Sequence, residues 1–491
     1  MNHHPLTRRH FLRQSLAISA ALAAAPPILL RTSSAAGAPI ALGSRRELLV
    51  DDYLLGSLDG VILKLHKPEA REGVLTCDKP WEGNTSAYYT LFQDGDRFRI
   101  YYRGSHWDEV AKKATHPEFT CYAESRDGIT WEKPALGLFD FQGSKENNIV
   151  LTGEGTHNFA PFKDTNPACK PEERYKALAG GTTLVNGKKK SCLHAYRSAD
   201  GVRWSRTQDD AVISDGAFDS QNIAFFDNER GEYRAYWRYF SKGYTDERGW
   251  RPEGVRAIRT ATSKDFIHWA SQADLRYGDA PAEHLYTNAV MPYFRAPHLY
   301  VAFPTRFQPK HQQVEPVFMT SRDGVNFKRW AEELIPITAP KDRDGNRSNY
   351  MTRGLLQLPG QDRELSVYAT EAYYTGPGSR VRRFVYRMDG FVSAHAATEG
   401  ALITKPFTFT GSKLSLNIAS RGETRVEFQD ENGRPLPGFT LADCTPLQGD
   451  FLGHHVRWKG GALPAVSGSP VRLRFDLKRA DLFSLQFQNE A

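Results

Sequence analysis

Ionisable and amide side chains recur at one kind of place in this chain, the ends of short segments whose apolar residues alternate. Segment starts hold Glu82 and Asn84, His157 and Asn158, Asp219 and Asn222, Glu283 and Asn288, then Tyr350 and Arg353. The ends of the segments that follow hold Arg103 and His106, Arg238, Arg306 and Glu371. Carboxyl groups brought into one pocket can divide acid and base work once their surroundings push their proton affinities apart. Guanidinium groups offer a planar fork that matches carboxylate or sulfate oxygens. Any one of these residues alone reads as surface; their recurrence at equivalent places points to a site.

The elements that must position them repeat. Ser125-Arg-Asp-Gly-Ile-Thr-Trp131 returns as Ser198-Ala-Asp-Gly-Val-Arg-Trp204, then more loosely as Ser263-Lys-Asp-Phe-Ile-His-Trp269 and Ser321-Arg-Asp-Gly-Val-Asn-Phe327. A degenerate fifth copy is Arg387-Met-Asp-Gly-Phe391, and successive Asp residues lie 73, 65, 58 and 66 apart. Asp-Gly marks a tight turn that takes positive φ, and the aromatic after it can staple the next strand into a core. Before each turn run two alternating segments, such as Ser86-Ala-Tyr-Tyr-Thr-Leu-Phe92 and Phe98-Arg-Ile-Tyr-Tyr102. Two strands, then two more bracketing the turn, make a four-stranded blade, and five units predict a five-bladed β-propeller over residues 71–395. The start of each first strand and the end of each second strand then share one mouth of the central channel.

Beyond residue 395 the pattern changes to clean alternation with an Asn-Gly turn in Asp430-Glu-Asn-Gly433, which predicts a β-sandwich over 396–491. The fold class expected is therefore all-β, a propeller followed by a sandwich. Residues 37–70 read as a connector and closing strand. Residues 1–36 carry Arg8-Arg9 before Phe11-Leu12, an apolar run and a small-residue end, which resembles a twin-arginine export signal. The expected mature protein is exported, periplasmic or extracellular, with no integral membrane span after cleavage. The 491-residue chain is 40% hydrophobic and 25% charged, which excludes whole-chain disorder. Its formal charge of +7 owes more than half to four Arg within the first 36 residues, so nucleic acid is not an expected partner. Five Cys without a CxxC pair exclude a disulfide scaffold and a Cys-based zinc module.

The propeller with its C-terminal sandwich, the Ser-x-Asp-Gly-x-x-Trp turns and the carboxylates at blade starts resemble the five-bladed invertase and arabinanase superfamily of glycoside hydrolases. The resemblance spans nearly the whole mature chain and is architectural. It implies a carboxylate on the first strand of each of three blades, serving as base or nucleophile, as an orienting or pKa-tuning group, and as general acid. On that pattern Glu82 stands in blade one, where the family usually has Asp, and Asp219 in blade three. Blade two departs, with His157-Asn158 at its start and Asp164 as its nearest acid. The resemblance implies Glu82 as base or nucleophile and Glu283 or Asp219 as acid, with Glu371 in reserve; the alternative for Glu371 is a salt bridge with a channel Arg. Asn84, Arg103, His106, Asn158, Asp164, Asn222, Arg238, Asn288, Arg306 and Arg353 are the expected substrate contacts.

Several Arg at one mouth suggest an anionic or partly anionic glycan, and Trp81, Trp107, Trp237 and Tyr239 are candidates to stack on sugar faces. Two other classes stay open. One is a non-catalytic glycan-binding propeller; the other is a polysaccharide lyase with Tyr350, His106 or His157 as base and Arg neutralising a uronate. The sialidase Asp-box differs by a residue between Asp and Gly and belongs to six blades. No phosphate loop, HExxH helix or Gly-x-Ser-x-Gly elbow is present, and Asp342-Arg-Asp-Gly-Asn346 lacks the terminal Glu of a calcium loop. No metal and no cofactor are expected.

Overall fold

The computed structural model describes residues 38–489 except 186, 247, 337–348, 461–462 and 464–468. The expected export signal and the Asp342–Asn346 segment lie outside the described residues. Strands dominate, and the one helical turn described is Pro171–Glu173. No described helix is long and apolar enough to cross a membrane.

Five sheets form the propeller. Blade 1 pairs Ala87–Asp94, Arg97–Gly104, Phe119–Ser125 and Ile149–Thr152 in that order. Blade 2 pairs Ala160–Lys163, Tyr175–Val185, Lys188–Ser198 and Ser205–Arg206; blade 3 pairs Ile223–Asp227, Glu232–Tyr244, Arg251–Ser263 and Trp269–Asp274. Blade 4 holds Val290–Tyr293, Ala296–Ala302 and Gln313–Ser321, with Thr305–Gln308 and Phe327–Glu333 both on the last of these. Blade 5 holds Glu364–Glu371 and Arg380–Arg387, with bridges from Met351 and Leu356 on its inner side. Its outer strand comes from the other end of the chain: Glu69–Thr76 pairs antiparallel with Arg380–Arg387.

The repeated turns fold alike because their hydrogen bonds are local. In the first, Ser125 Oγ takes the Gly128 N–H at 2.8 Å and Asp127 Oδ1 takes the N–H of Ile129 and Thr130. The same bonds recur around Asp200, Asp265 and Asp323. Each turn also bolts blades together. Tyr368 of blade 5 donates to Gly128 O, Tyr101 of blade 1 to Gly201 O, and Tyr236 of blade 3 to Gly324 O, all at 2.8–2.9 Å. In the third turn Phe266 takes the glycine place at φ 68° and fills the core instead. Removing one bolt with Tyr101→Phe is expected to cost about 1 kcal/mol in urea unfolding, with the blade order unchanged. The fifth Asp-Gly departs from the series. Asp389 is fully buried and takes Arg46, Arg295, Tyr293 and Ser484 instead of the next two amides.

A nine-stranded sheet closes around a separate core that includes Leu416, Phe428, Phe475 and Phe487. Its longest strands are Lys413–Asp430 and Val471–Gln488, with Val392–Thr404 beside them. Ile40–Gly43, Arg46–Leu48, Leu55–Asp59 and Ile62–Leu65 join it, so residues 40–65 are strands of this sheet where the sequence suggested a connector. Their short, poorly alternating runs carry no strand signal of their own; partner strands supply the order. Glu47 ties this sheet to blade 4. Its carboxylate is fully buried and meets Arg45 Nε at 2.6 Å, Arg322 Nη2 at 3.1 Å and His298 Nε2 at 3.2 Å.

Candidate functional site

At the mouth shared by the first-strand starts, side chains from all five blades converge. Blade 1 sends Tyr88, Arg103 and Glu118, blade 2 His157, blade 3 Asp219 and Arg238, blade 4 Tyr286, and blade 5 Tyr350 and Tyr373. His157 is the centre. Its Nδ1 lies 2.9 Å from Glu118 Oε2 and its Nε2 lies 2.9 Å from Asp219 Oδ1. Arg103 Nη1 is 3.5 Å from Glu118, and Arg238 Nη2 is 3.7 Å from Asp219. Charges therefore alternate along a chain Arg238–Asp219–His157–Glu118–Arg103.

That order sets the protonation states. The His157 bond, against the effect of burial, and then the Arg238 charge hold Asp219 at about 2. Burial raises the proton affinity of Glu118, but the bond from His157 and the charge of Arg103 outweigh it and leave that carboxyl lowered too. Burial opposes charge on His157, yet its two carboxylate partners lift it above its ordinary 6.5. The mouth thus offers two ionised carboxylates on either side of an imidazole that they bias toward its protonated form. Asp219 keeps 66% of its side chain exposed, so it is open to a ligand.

Tyrosines wall the mouth. Tyr350 packs edge-on against Tyr286 and Tyr373 at 6.0 and 5.6 Å. Tyr373 OH accepts from Arg103 Nη2 at 3.1 Å, and burial pushes its own pKa up to about 12. Tyr88 sits at φ 57° in a register break between Ala87 and Thr90, which places its ring 5.5 Å from His157 and 5.0 Å from the Arg103 guanidinium. A side chain held in that left-handed region costs roughly 1–2 kcal/mol, and such strain gathers at sites that need a fixed aim.

The remaining expected site residues are placed elsewhere or turned inward. Glu82 is 2% exposed and bonded to Lys133 Nζ and Tyr102 OH, both at 2.6 Å, so it is a buried structural charge. With His106 it lines a separate cavity of about 390 Å³, where His106 Nδ1 accepts the Asn84 N–H. Glu283 is held by Arg306 and Arg329, and Arg306 by Glu315 at 2.6 Å as well. Glu371 pairs with Arg382 and Arg380 on the neighbouring strand of its own blade. Asp164 is buried against Lys176 at 2.5 Å and Tyr233 at 2.6 Å. The amides are spent on backbone: Asn84 on Trp107, Asn158 and Asn222 on Phe218 and Ser220, Asn288 on Gln221 and Tyr236. They shape the mouth from behind. Trp237 is fully buried, with its indole N–H on Asp215 O, and does not face a ligand.

Arg353 is 8% exposed on the inner side of blade 5, with no side-chain hydrogen bond or ion pair among the described residues and with Nε enclosed. Burial lowers its pKa from 12.5 to about 10, so it stays charged at neutral pH. An unpaired buried charge is a debt to stability. Arg353→Met is expected to raise unfolding free energy by about 1–3 kcal/mol in denaturant titration; a loss instead would mean that an anion normally sits against the guanidinium.

Glu118 and Arg256, a second Arg on blade 3, were not among the residues singled out from sequence. Glu118 stands just before the third strand Phe119–Ser125, so collecting third-strand starts as well would have found it; Arg256 lies five residues into Arg251–Ser263, and no strand-end signal marks it.

No protein-family model and no curated protein matches the chain. Among solved structures it is similar to a β-1,2-mannobiose phosphorylase from Listeria innocua, at 11% identity over 66% of this chain and 97% of that one, TM-score 0.44. It is also similar to an N-acetylgalactosamine deacetylase from F. plautii, at 12% identity over 66% and 96%, TM-score 0.43. A Bombyx mori GH32 β-fructofuranosidase aligns at 9% identity over 87% and 95%, TM-score 0.41.

Proposed function

We propose that the chain is an exported glycan-processing enzyme that hydrolyses a glycosidic bond at the tyrosine-walled mouth of the propeller. The observation that carries the reading is the Asp219–His157–Glu118 chain: acid–base groups from three blades meet there and stay open to solvent. The acid–base element is an imidazolium with a carboxylate, in place of the two carboxyl groups expected from sequence. Ionised Asp219 takes the proton of an attacking water, or attacks directly, and its charge steadies the positive charge that develops at the anomeric carbon. Substrate entering between them parts His157 Nε2 from Asp219 and turns that N–H to the leaving oxygen as its proton donor, while Glu118 holds Nδ1 from the far side. The tyrosines supply flat faces for sugar rings with hydroxyls at their edges.

One observation favours a second reading. Arg103 Nη1 lies 3.1 Å from His157 Nδ1 and its Nη2 donates to Tyr373 OH at 3.1 Å; a donor beside that ring nitrogen calls for neutral His157, which suits β-elimination from a uronate with Arg103 neutralising the carboxylate. The reading is tested by incubating residues 37–491 with neutral, uronate-containing and sulfated polysaccharides. New reducing ends without ultraviolet absorbance support hydrolysis. Unsaturated, absorbing products would replace it with elimination, and binding without release would leave a glycan-binding propeller.

A further inference from the structure

Among the described residues, Arg103, His157, Arg238 and Arg256 face Glu118 and Asp219, and the surplus of positive charge sits on blade 3. Arg238 stands opposite Ile258 and Arg256 opposite Phe240 on adjacent strands, so the two guanidiniums lie diagonally side by side. Both stack on Tyr286, at 4.6 and 5.6 Å from its centroid, and Arg256 also covers Phe307 at 4.8 Å. Arg238 is 4% exposed, and its Nη1 is enclosed with no acceptor; Arg256 Nε is enclosed likewise. Among the described residues no side-chain hydrogen bond or ion pair reaches the Arg256 guanidinium. The carboxylate near Arg238, that of Asp219, already takes the His157 N–H. Burial, and then the neighbouring Arg238 charge, lower the proton affinity of Arg256, as expected for two cations without a matching anion.

Stacking on aromatic faces and the Arg238 Nε bond to Ala217 O hold the pair in place, yet Arg238 Nη1 and Arg256 Nε stay unmet, and those point to an oxygen acceptor in the plane of the fork. We propose that Arg238 and Arg256 form an oxyanion site for the carboxylate or sulfate ester of a sugar unit bound beside Asp219. This rests on reading the mouth as a glycan site, and it narrows the substrate to an anionic saccharide.

The test measures binding by calorimetry and product release for oligosaccharides from polygalacturonate, alginate, heparan sulfate and carrageenan. Each is paired with its carboxyl-reduced or desulfated counterpart. The proposal expects one anionic member to bind roughly 10- to 100-fold tighter than its neutral counterpart, the range of one charge-assisted contact. Arg256→Met, checked for parental circular dichroism and melting, is expected to erase that difference, and Arg256→Lys to keep part of it. Whether the uronate or the sulfate pair shows the difference identifies the group. Equal binding of anionic and neutral forms, or a difference that Arg256→Met leaves intact, overturns the site. Anion-dependent binding without product release sustains the site and removes the hydrolase reading. Release from neutral glycans, indifferent to Arg256→Met, does the reverse.

Discussion

Asp219→Asn is expected to lower kcat/KM by about 10²- to 10⁴-fold while leaving the unfolding free energy within about 1 kcal/mol of the parent. The side chain is largely exposed and its partners His157 and Arg238 lie at the mouth, so its loss touches the chemistry and spares the apolar core. Glu82→Gln is the control with the opposite outcome, because it strands Lys133 behind blade 1 and acts through stability. Protonation adds a direction. Catalysis as proposed needs Asp219 ionised and His157 protonated, so kcat/KM should be flat from a few units above about 2 until His157 titrates, given Asp219 at about 2. It should then fall on the alkaline side, at a pH above the ordinary 6.5 of histidine. His157→Asn should lower the plateau and remove the alkaline fall. A rate that instead climbs through neutral pH would make neutral His157 the base and favour elimination.

Glu47→Gln is expected to destabilise the protein by about 3–5 kcal/mol, since it leaves Arg322 and Arg45 facing a neutral amide in a buried junction. The same carboxylate gives the fold an acid limb. Burial pushes its proton affinity up, but the His298 bond and the Arg322 charge outweigh it and bring the pKa from 4.5 to about 2. The contribution is therefore fully present above 4.5 and fades as pH falls toward 2, and is worth about 3 kcal/mol at neutral pH. Denaturant melts between pH 6 and 2.5 should show the parent losing stability more steeply than Glu47→Gln. Parallel curves would mean that Glu47 shares its proton with a neighbour and does not carry the limb.

The features legible in the sequence are those whose causes are local. Ser125, Asp127 and Gly128 satisfy one another within four residues, so four such turns spelled out a blade count. A closing strand was expected within 37–70, but its place at Glu69–Thr76 was not legible: Glu-Ala-Arg-Glu-Gly-Val-Leu-Thr has no period, and its order comes from Arg380–Arg387. Glu82 looked catalytic because it stands at the start of the first blade; Lys133, which neutralises it, stands 51 residues on. Asp219 and His157 were collected correctly as neighbours at one mouth, but their role depends on Glu118, which only the third-strand hairpin brings back. Charge pairing at long range, more than secondary structure, separated the true occupants of the mouth from residues that shared its address.

The strand that completes blade 5 joins partners far apart in the chain: Arg383 meets Glu72 across 311 residues. Four blades assemble from close neighbours, while the seam must wait for both ends of the ring to exist and find each other. Such distant pairing is slow to form, although its entropic cost grows only with the logarithm of the intervening length. Once shut, the ring leaves each blade flanked on both sides. Escape then begins at the seam, so persistence in a protease-rich surrounding becomes a matter of how rarely Glu69–Thr76 lets go.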